Sequence, residues 1–277
     1  EGAGVTGLFN NYNYFGAWLS IILALIIGLF FKEENNKFSK YITIILICTY
    51  IYMIILTTSR NALLAVLITL FLLIPIKKFK FIFLTLLTTS GVVITNIFSI
   101  LPSNIQNSLF TFFPSSLLEK TALNSISEFA SFPRIELWLK TIRFIKSNLL
   151  VGYGGGSFSD LYYLNNGQFE GMQHSHNIIL EIAFNYGLPT SFLIIGGMII
   201  ILIKSANGFF FNRRGDFLEI KNYLIKFDYA WITSFAIFLF LHMFDITYFD
   251  GRISILAWIL LAGIRQIIRE NKENLLI

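Results

Sequence analysis

Tyr14-Phe-Gly-Ala-Trp-Leu-Ser-Ile-Ile-Leu-Ala-Leu-Ile-Ile-Gly-Leu-Phe-Phe31 carries no charge from end to end. As a helix, such a run is long enough to cross a hydrocarbon core about 30 Å thick. Six further apolar stretches of similar character follow: Tyr41 to Thr57, Asn61 to Ile76, Phe79 to Leu101, Asn177 to Ile203, Tyr229 to Tyr248 and Ile253 to Ile268. The second and third are short and are separated by Thr58, Ser59 and Arg60. With 55% hydrophobic and 13% charged residues and a mean hydropathy of +0.69, the 277-residue chain is not an ordinary soluble protein. The reading is an all-α, polytopic transmembrane helical bundle of about seven spans.

The charge distribution orients these spans. Net charge is +5 and the isoelectric point near 9.2, values that also suit nucleic-acid binders. Here, however, the basic residues flank apolar runs instead of covering one polar face, so nucleic acid is excluded as a partner. Positively charged loops stay cytoplasmic. Placing the loop after the first span inside collects Lys32, Lys37 and Lys40 there, then Lys77, Lys78 and Lys80, then Lys204, Arg213, Arg214, Lys221 and Lys226, and finally Arg265, Arg269 and Lys272. The outer side keeps the smaller share. Residues 1 to 13 and the long segment Pro102 to His176 are therefore expected outside the membrane and the C-terminus in the cytoplasm. Three parts result: spans in 1–101, an extracytoplasmic loop at 102–176, and spans in 177–277. The chain opens at Glu1 with no initiating Met and no leader, which reads as a C-terminal fragment.

A connection as long as 102–176 should carry structure of its own. Pro133 to Ser147 reads as an amphipathic helix suited to the outer membrane surface, with Ile135, Leu137, Trp138, Leu139, Ile142 and Ile145 interleaved among Arg134, Glu136, Lys140, Arg143 and Lys146. After it, glycines at 152, 154, 155 and 156 break regular structure. They lack a following Gly-Lys-Ser/Thr and form no P-loop.

Two of the three histidines lie in His174-Ser-His-Asn177, at the junction of the outer loop and a span. Imidazole titrates near neutrality, so it can take a proton from a hydroxyl or donate to phosphate. The competing reading makes the histidines anchors and Asn177 a helix N-cap. A metal site lacks a third ligand in the local sequence, and Cys48 has no neighbour with which to form a disulfide or bind a metal. Arg60 and Arg134 both fall on the outer side, where a planar guanidinium can grip a diphosphate, or where it snorkels to lipid headgroups. His242 and Asp245 are three apart on one expected helical face, with Asp250 and Arg252 beyond. They could form a polar edge of the same site, an ion relay, or merely an interfacial pair.

Taken in order, Gly7-Leu-Phe-Asn-Asn-Tyr-Asn13, Thr58-Ser-Arg-Asn61, Arg134-Ile-Glu-Leu-Trp138, Val151-Gly-Tyr-Gly-Gly-Gly-Ser-Phe158 and His174-Ser-His-Asn177 through Glu181 to Gly187-Leu188 resemble the O-antigen ligase and polymerase superfamily of bacterial membrane glycosyltransferases. The resemblance implies a bundle of about twelve helices, five of them absent here, around a periplasmic-side cavity in the inner membrane. It implies transfer of a glycan, in cell-surface polysaccharide biosynthesis and without metal or other cofactor, from a polyprenyl-diphosphate-linked donor to a lipid or glycan acceptor hydroxyl. Arg60 and Arg134 would bind the diphosphate and His176 would act on the acceptor, with His174, Asn177 and Asp245 accessory. The ending His242 to Arg252 resembles cyanobacterial members, some labelled bicarbonate transporters, which leaves small-anion transport as the alternative. A transporter concentrates ionisable residues at mid-membrane; here the polar groups gather at the outer boundary, which favours the enzyme over that alternative, with a non-catalytic scaffold as a third reading.

Overall fold

A computed structural model describes residues 4–32, 37–73, 133–169, 171–210 and 227–273. Among these residues the chain is helical without strands: α1 (Tyr12–Lys32), α2 (Lys37–Leu56), α3 (Arg60–Leu73), α4 (Pro133–Ser147), α5 (Phe158–Leu164), α6 (Ile178–Tyr186), α7 (Leu188–Phe210), α8 (Phe227–His242) and α9 (Gly251–Glu273). Four of them, over Tyr12–Phe31, Lys37–Leu56, Leu188–Ala206 and Gly251–Glu270, are long and apolar enough to cross a membrane. At about 1.5 Å per residue, the described lengths of α3 and α8 come to less than a full crossing. The expected span Phe79 to Leu101 and the outer segment from 102 to 132 lie outside the described residues.

Helix α1 is the hub, packing on α2, α3 and α8, while α9 lies against α7 and α8. Where lipid surrounds a bundle, apolar burial gives little preference for helix over lipid, so close backbone approach and cross-helix hydrogen bonds carry the association. Both are present. A Cβ on Gly28 would lie 2.2 Å from the Ala230 Cβ, so α1 and α8 touch where neither has bulk. Ser234 Oγ donates to the Ile21 carbonyl at 2.7 Å, and Trp231 Nε1 to the Leu260 carbonyl at 2.8 Å.

Two expected spans are corrected. Asn177 to Ile203 is not one helix but α6 and α7, broken at Gly187. That residue has φ +84°, and a Cβ there would sit 2.1 Å from the Leu150 carbonyl oxygen. The next amide, Leu188 N–H, donates to Leu149 O at 2.8 Å, and Pro189 falls in the first turn of α7, where its missing N–H costs nothing. Tyr229 to Tyr248 likewise stops at His242; residues 243–250 form a turn in which Asp245 Oδ1 accepts the Ile246 N–H.

The amphipathic helix has the bounds its sequence implies, Pro133–Ser147. Its Leu137 and Ile145 join Phe158, Tyr162, Ala183 and Phe184 in a core shared by α4, α5 and α6. Tyr162 Oη donates to Glu136 Oε2 at 2.6 Å, and Lys140 Nζ reaches Glu136 and the carbonyls of Asn165 and Asn166. The glycine-rich turn caps the far end of α6: Tyr153 N–H donates to Phe184 O and Gly154 N–H to Asn185 O. Helix α6 is thereby gripped at its C-terminus, and its N-terminus carries the histidine pair.

Candidate functional site

Asn177 starts α6 as an N-cap, with extended backbone and Oδ1 accepting from Ile179 N–H at 3.0 Å and Leu180 N–H at 3.2 Å. The amide does a second job. Its Nδ2 donates to Met243 O at 3.1 Å, tying the histidine loop to the turn after α8, two residues before Asp245. His176 occupies the left-handed region at φ +54°, a conformation few non-glycine residues adopt.

That tie brings His176 Nδ1 to 2.9 Å from Asp245 Oδ1, across 69 positions of sequence. Asp245 is buried, which by itself raises a carboxyl pKa. The hydrogen bond and charge of His176, aided by His174 and Arg134, outweigh burial and hold it below the ordinary value. An ionised carboxylate only accepts, so Nδ1 carries the proton of that bond, and in the neutral ring the lone pair then falls on Nε2. The ring of His174 stands edge-on to His176 at 4.2 Å, with Phe249 at 5.8 Å. Burial first, then the charge of His176, push His174 down to about 4, so it stays neutral, and its Nδ1 has no hydrogen-bond partner among the described residues.

The two arginines approach from other elements. Arg134 opens α4 and Arg60 opens α3. Burial lowers the Arg134 pKa, the charge of Asp245 raises it and that of Arg60 lowers it again, so Arg134 feels both the carboxylate and the second cation. Beside them a small crevice is walled by Asn13, Ser59, Asn61, Asp245 and Thr247 over Ala17 and Leu241. Ser59 Oγ donates to Asn13 Oδ1 at 2.8 Å, and Tyr14 Oη to Ile246 O at 3.2 Å. Tyr14 and Thr247 escaped sequence reasoning because nothing in their local pattern marks them, while Asn13 and Ser59 stood inside the quoted motifs without being singled out as site residues. Only the packing of α1, α3 and the 243–250 turn assembles them.

The sequence argument against a metal was that no third ligand stood near His174 and His176. Asp245 is that third group, and the ligand atoms of the three lie within 4.8 Å of one another. The charge balance nevertheless opposes a cation: one carboxylate, already accepting from His176 and Ile246, faces Arg134 and, through it, Arg60. That charge balance favours an anion over a cation.

The other residues singled out near the end of the chain are used structurally. His242 Nδ1–H donates to Phe238 O at 2.7 Å, and Nε2 pairs with Thr247 Oγ1 at 3.2 Å, which leaves no nitrogen for a relay. Because α8 ends at His242, it does not share a helical face with Asp245. Arg252 pairs with Asp250, donates to Leu8 O and covers the ring of Phe9 at 3.8 Å, strapping the start of the described chain onto α9.

Comparison with known families gives one match: the family described as O-antigen ligase, over residues 43–195. That range takes in Arg60, Arg134, both loop histidines and Glu181. No curated protein matches the chain.

Proposed function

The chain belongs to the O-antigen ligase family, and from that premise we propose that it moves a glycan from a polyprenyl-diphosphate carrier to an acceptor hydroxyl at the outer face of the bacterial inner membrane. The acceptor hydroxyl gives its proton to His176 Nε2 while its oxygen attacks the anomeric carbon. The bond from that carbon to the diphosphate breaks, and the diphosphate leaves on its lipid carrier. Its growing negative charge is taken by Arg60 and Arg134, and the imidazolium is stabilised by Asp245. The observation that carries this reading is the 2.9 Å contact between His176 and Asp245, the carboxylate whose charge also acts on Arg134, which in turn feels Arg60.

A positioned base contributes about 10²- to 10⁴-fold. Replacing His176 or Arg134 with Ala in the membrane-embedded protein should lower lipid-linked glycan transfer by about a hundredfold or more, at unchanged abundance. Unchanged transfer would sink the site. Small-anion transport gains no support from the family match. The orientation proposed puts the histidine loop outside; a reporter fused after Ile277 that became active only in the periplasm would overturn it.

A further inference from the structure

Glu181 has no part in the transfer as proposed, yet its carboxylate is 2% exposed and satisfied on both oxygens. Oε2 accepts from the Ser175 N–H at 2.9 Å and lies 3.0 Å from Ser175 Oγ; Oε1 accepts from Asn185 Nδ2 at 3.0 Å. Ser175 is completely buried and stands between the two site histidines. Its amide bond to Glu181 therefore fixes the backbone that presents both. Asn185 is held from the other side, since its carbonyl accepts the Gly154 N–H. The chain of contacts runs from the glycine-rich turn through Asn185, Glu181 and Ser175 to His176.

The geometry points to Glu181 as a positioning residue that keeps His176 in its left-handed conformation with Nδ1 on Asp245. Asn177, through Met243 O, is the second restraint on the same loop. A carboxylate suits the place because the Ser175 and Asn185 N–H donors converge on it, with the Ser175 hydroxyl hydrogen shared between it and the Asn177 carbonyl, and an acceptor-only group meets them all. A glutamine would turn an NH₂ toward Ser175, setting donor against donor, or toward Asn185, whose amide must then flip to present Oδ1 and give up its own donation. The effect on rate rests on the transferase reading; the effect on loop conformation does not.

That polarity argument supplies its own rescue. In the double variant Glu181→Gln with Asn185→Asp, the glutamine N–H can donate to the new carboxylate while its carbonyl still accepts from Ser175. The test measures glycan transfer and, in nanodiscs, the ¹⁵N spectrum of the three histidines, where a protonated Nδ1 is told from a protonated Nε2. For Glu181→Gln, kcat should fall about tenfold or more with the donor KM within about twofold, because the arginines are untouched. His176 should lose its Nδ1–H signature, and the double variant should restore both readouts to within about threefold. An unchanged His176 signature overturns the positioning role whatever the rate does. An altered signature with undiminished transfer instead upholds positioning and overturns the catalytic role of His176. If Glu181→Gln does not accumulate, Glu181→Asp, which withdraws the carboxylate by one methylene, is read the same way.

Discussion

Acidification should destabilise the protein through His174. In the folded chain this side chain is 9% exposed and its pKa is depressed to about 4. The unfolded chain has the ordinary value near 6.5. Above pH 6.5 neither state binds the proton, and His174 contributes no pH dependence. Between 6.5 and 4 the unfolded state takes a proton that the folded state refuses, so stability falls as pH falls, and below 4 the loss levels off. At 1.36 kcal/mol per pH unit, that interval bounds the loss at ~3 kcal/mol. For a chain of this size the same amount lowers Tm by roughly 5 to 10 °C. The assay is thermal unfolding in nanodiscs at pH 7.5 and 4.5, with His174→Gln alongside. Glutamine cannot take the proton, so the variant should match the wild type at pH 7.5 and keep most of its Tm at pH 4.5. Parallel losses in both proteins would refute the assignment of the acid sensitivity to His174.

Asp245→Asn should cut kcat by about 10² to 10⁴, since an amide both donates and accepts and no longer forces the proton onto His176 Nδ1; steady-state kinetics with the donor KM followed separately checks this. Arg134→Lys should fail to restore what Arg134→Ala loses, with donor KM raised about tenfold, because an ammonium cannot offer two parallel N–H donors to a diphosphate. Gly187→Ala should cost about 3 kcal/mol or more, from a positive φ and a Cβ 2.1 Å from a hydrogen-bonded backbone segment, and Tm measurement reads it directly. Tyr162→Phe should cost about 1 to 3 kcal/mol by removing the 2.6 Å bond to Glu136, with transfer kinetics little changed at permissive temperature.

Local pattern was enough wherever one element decides its own fate. The amphipathic period of Pro133 to Ser147 produced a helix with those bounds, because Leu137, Thr141 and Ile145 need burial and Arg143 and Lys146 do not. The run from Tyr14 to Phe31 lies wholly within α1. Asn177 caps α6, as an Asn before an apolar helix should. His176 and Asp245 could each be marked as chemically notable, but their contact could not be read from sequence. It depends on a bond from Asn177 to Met243 O that joins positions far apart in the chain.

The two misread spans fail for different reasons, and both failures border the site. Gly187-Leu-Pro189 does carry a local stop signal, a glycine in a left-handed position followed by a proline in the next first turn; averaging hydropathy over a window erased it. The end of α8 carries no such signal, since no Gly or Pro lies between Tyr229 and Tyr248. That helix is ended by tertiary contacts: Asn177 takes the Met243 carbonyl, Tyr14 takes the Ile246 carbonyl and Asp245 takes the Ile246 N–H. A continuous helix would have used those backbone groups itself. It would also have placed Asp245 on the same face as His242, where His242 already bonds Phe238 O and Thr247. Breaking the helix frees the carboxylate to turn toward His176. Consistency between local propensity and global fold is expected to fail where function imposes a second demand, and here it fails on both sides of the histidine loop.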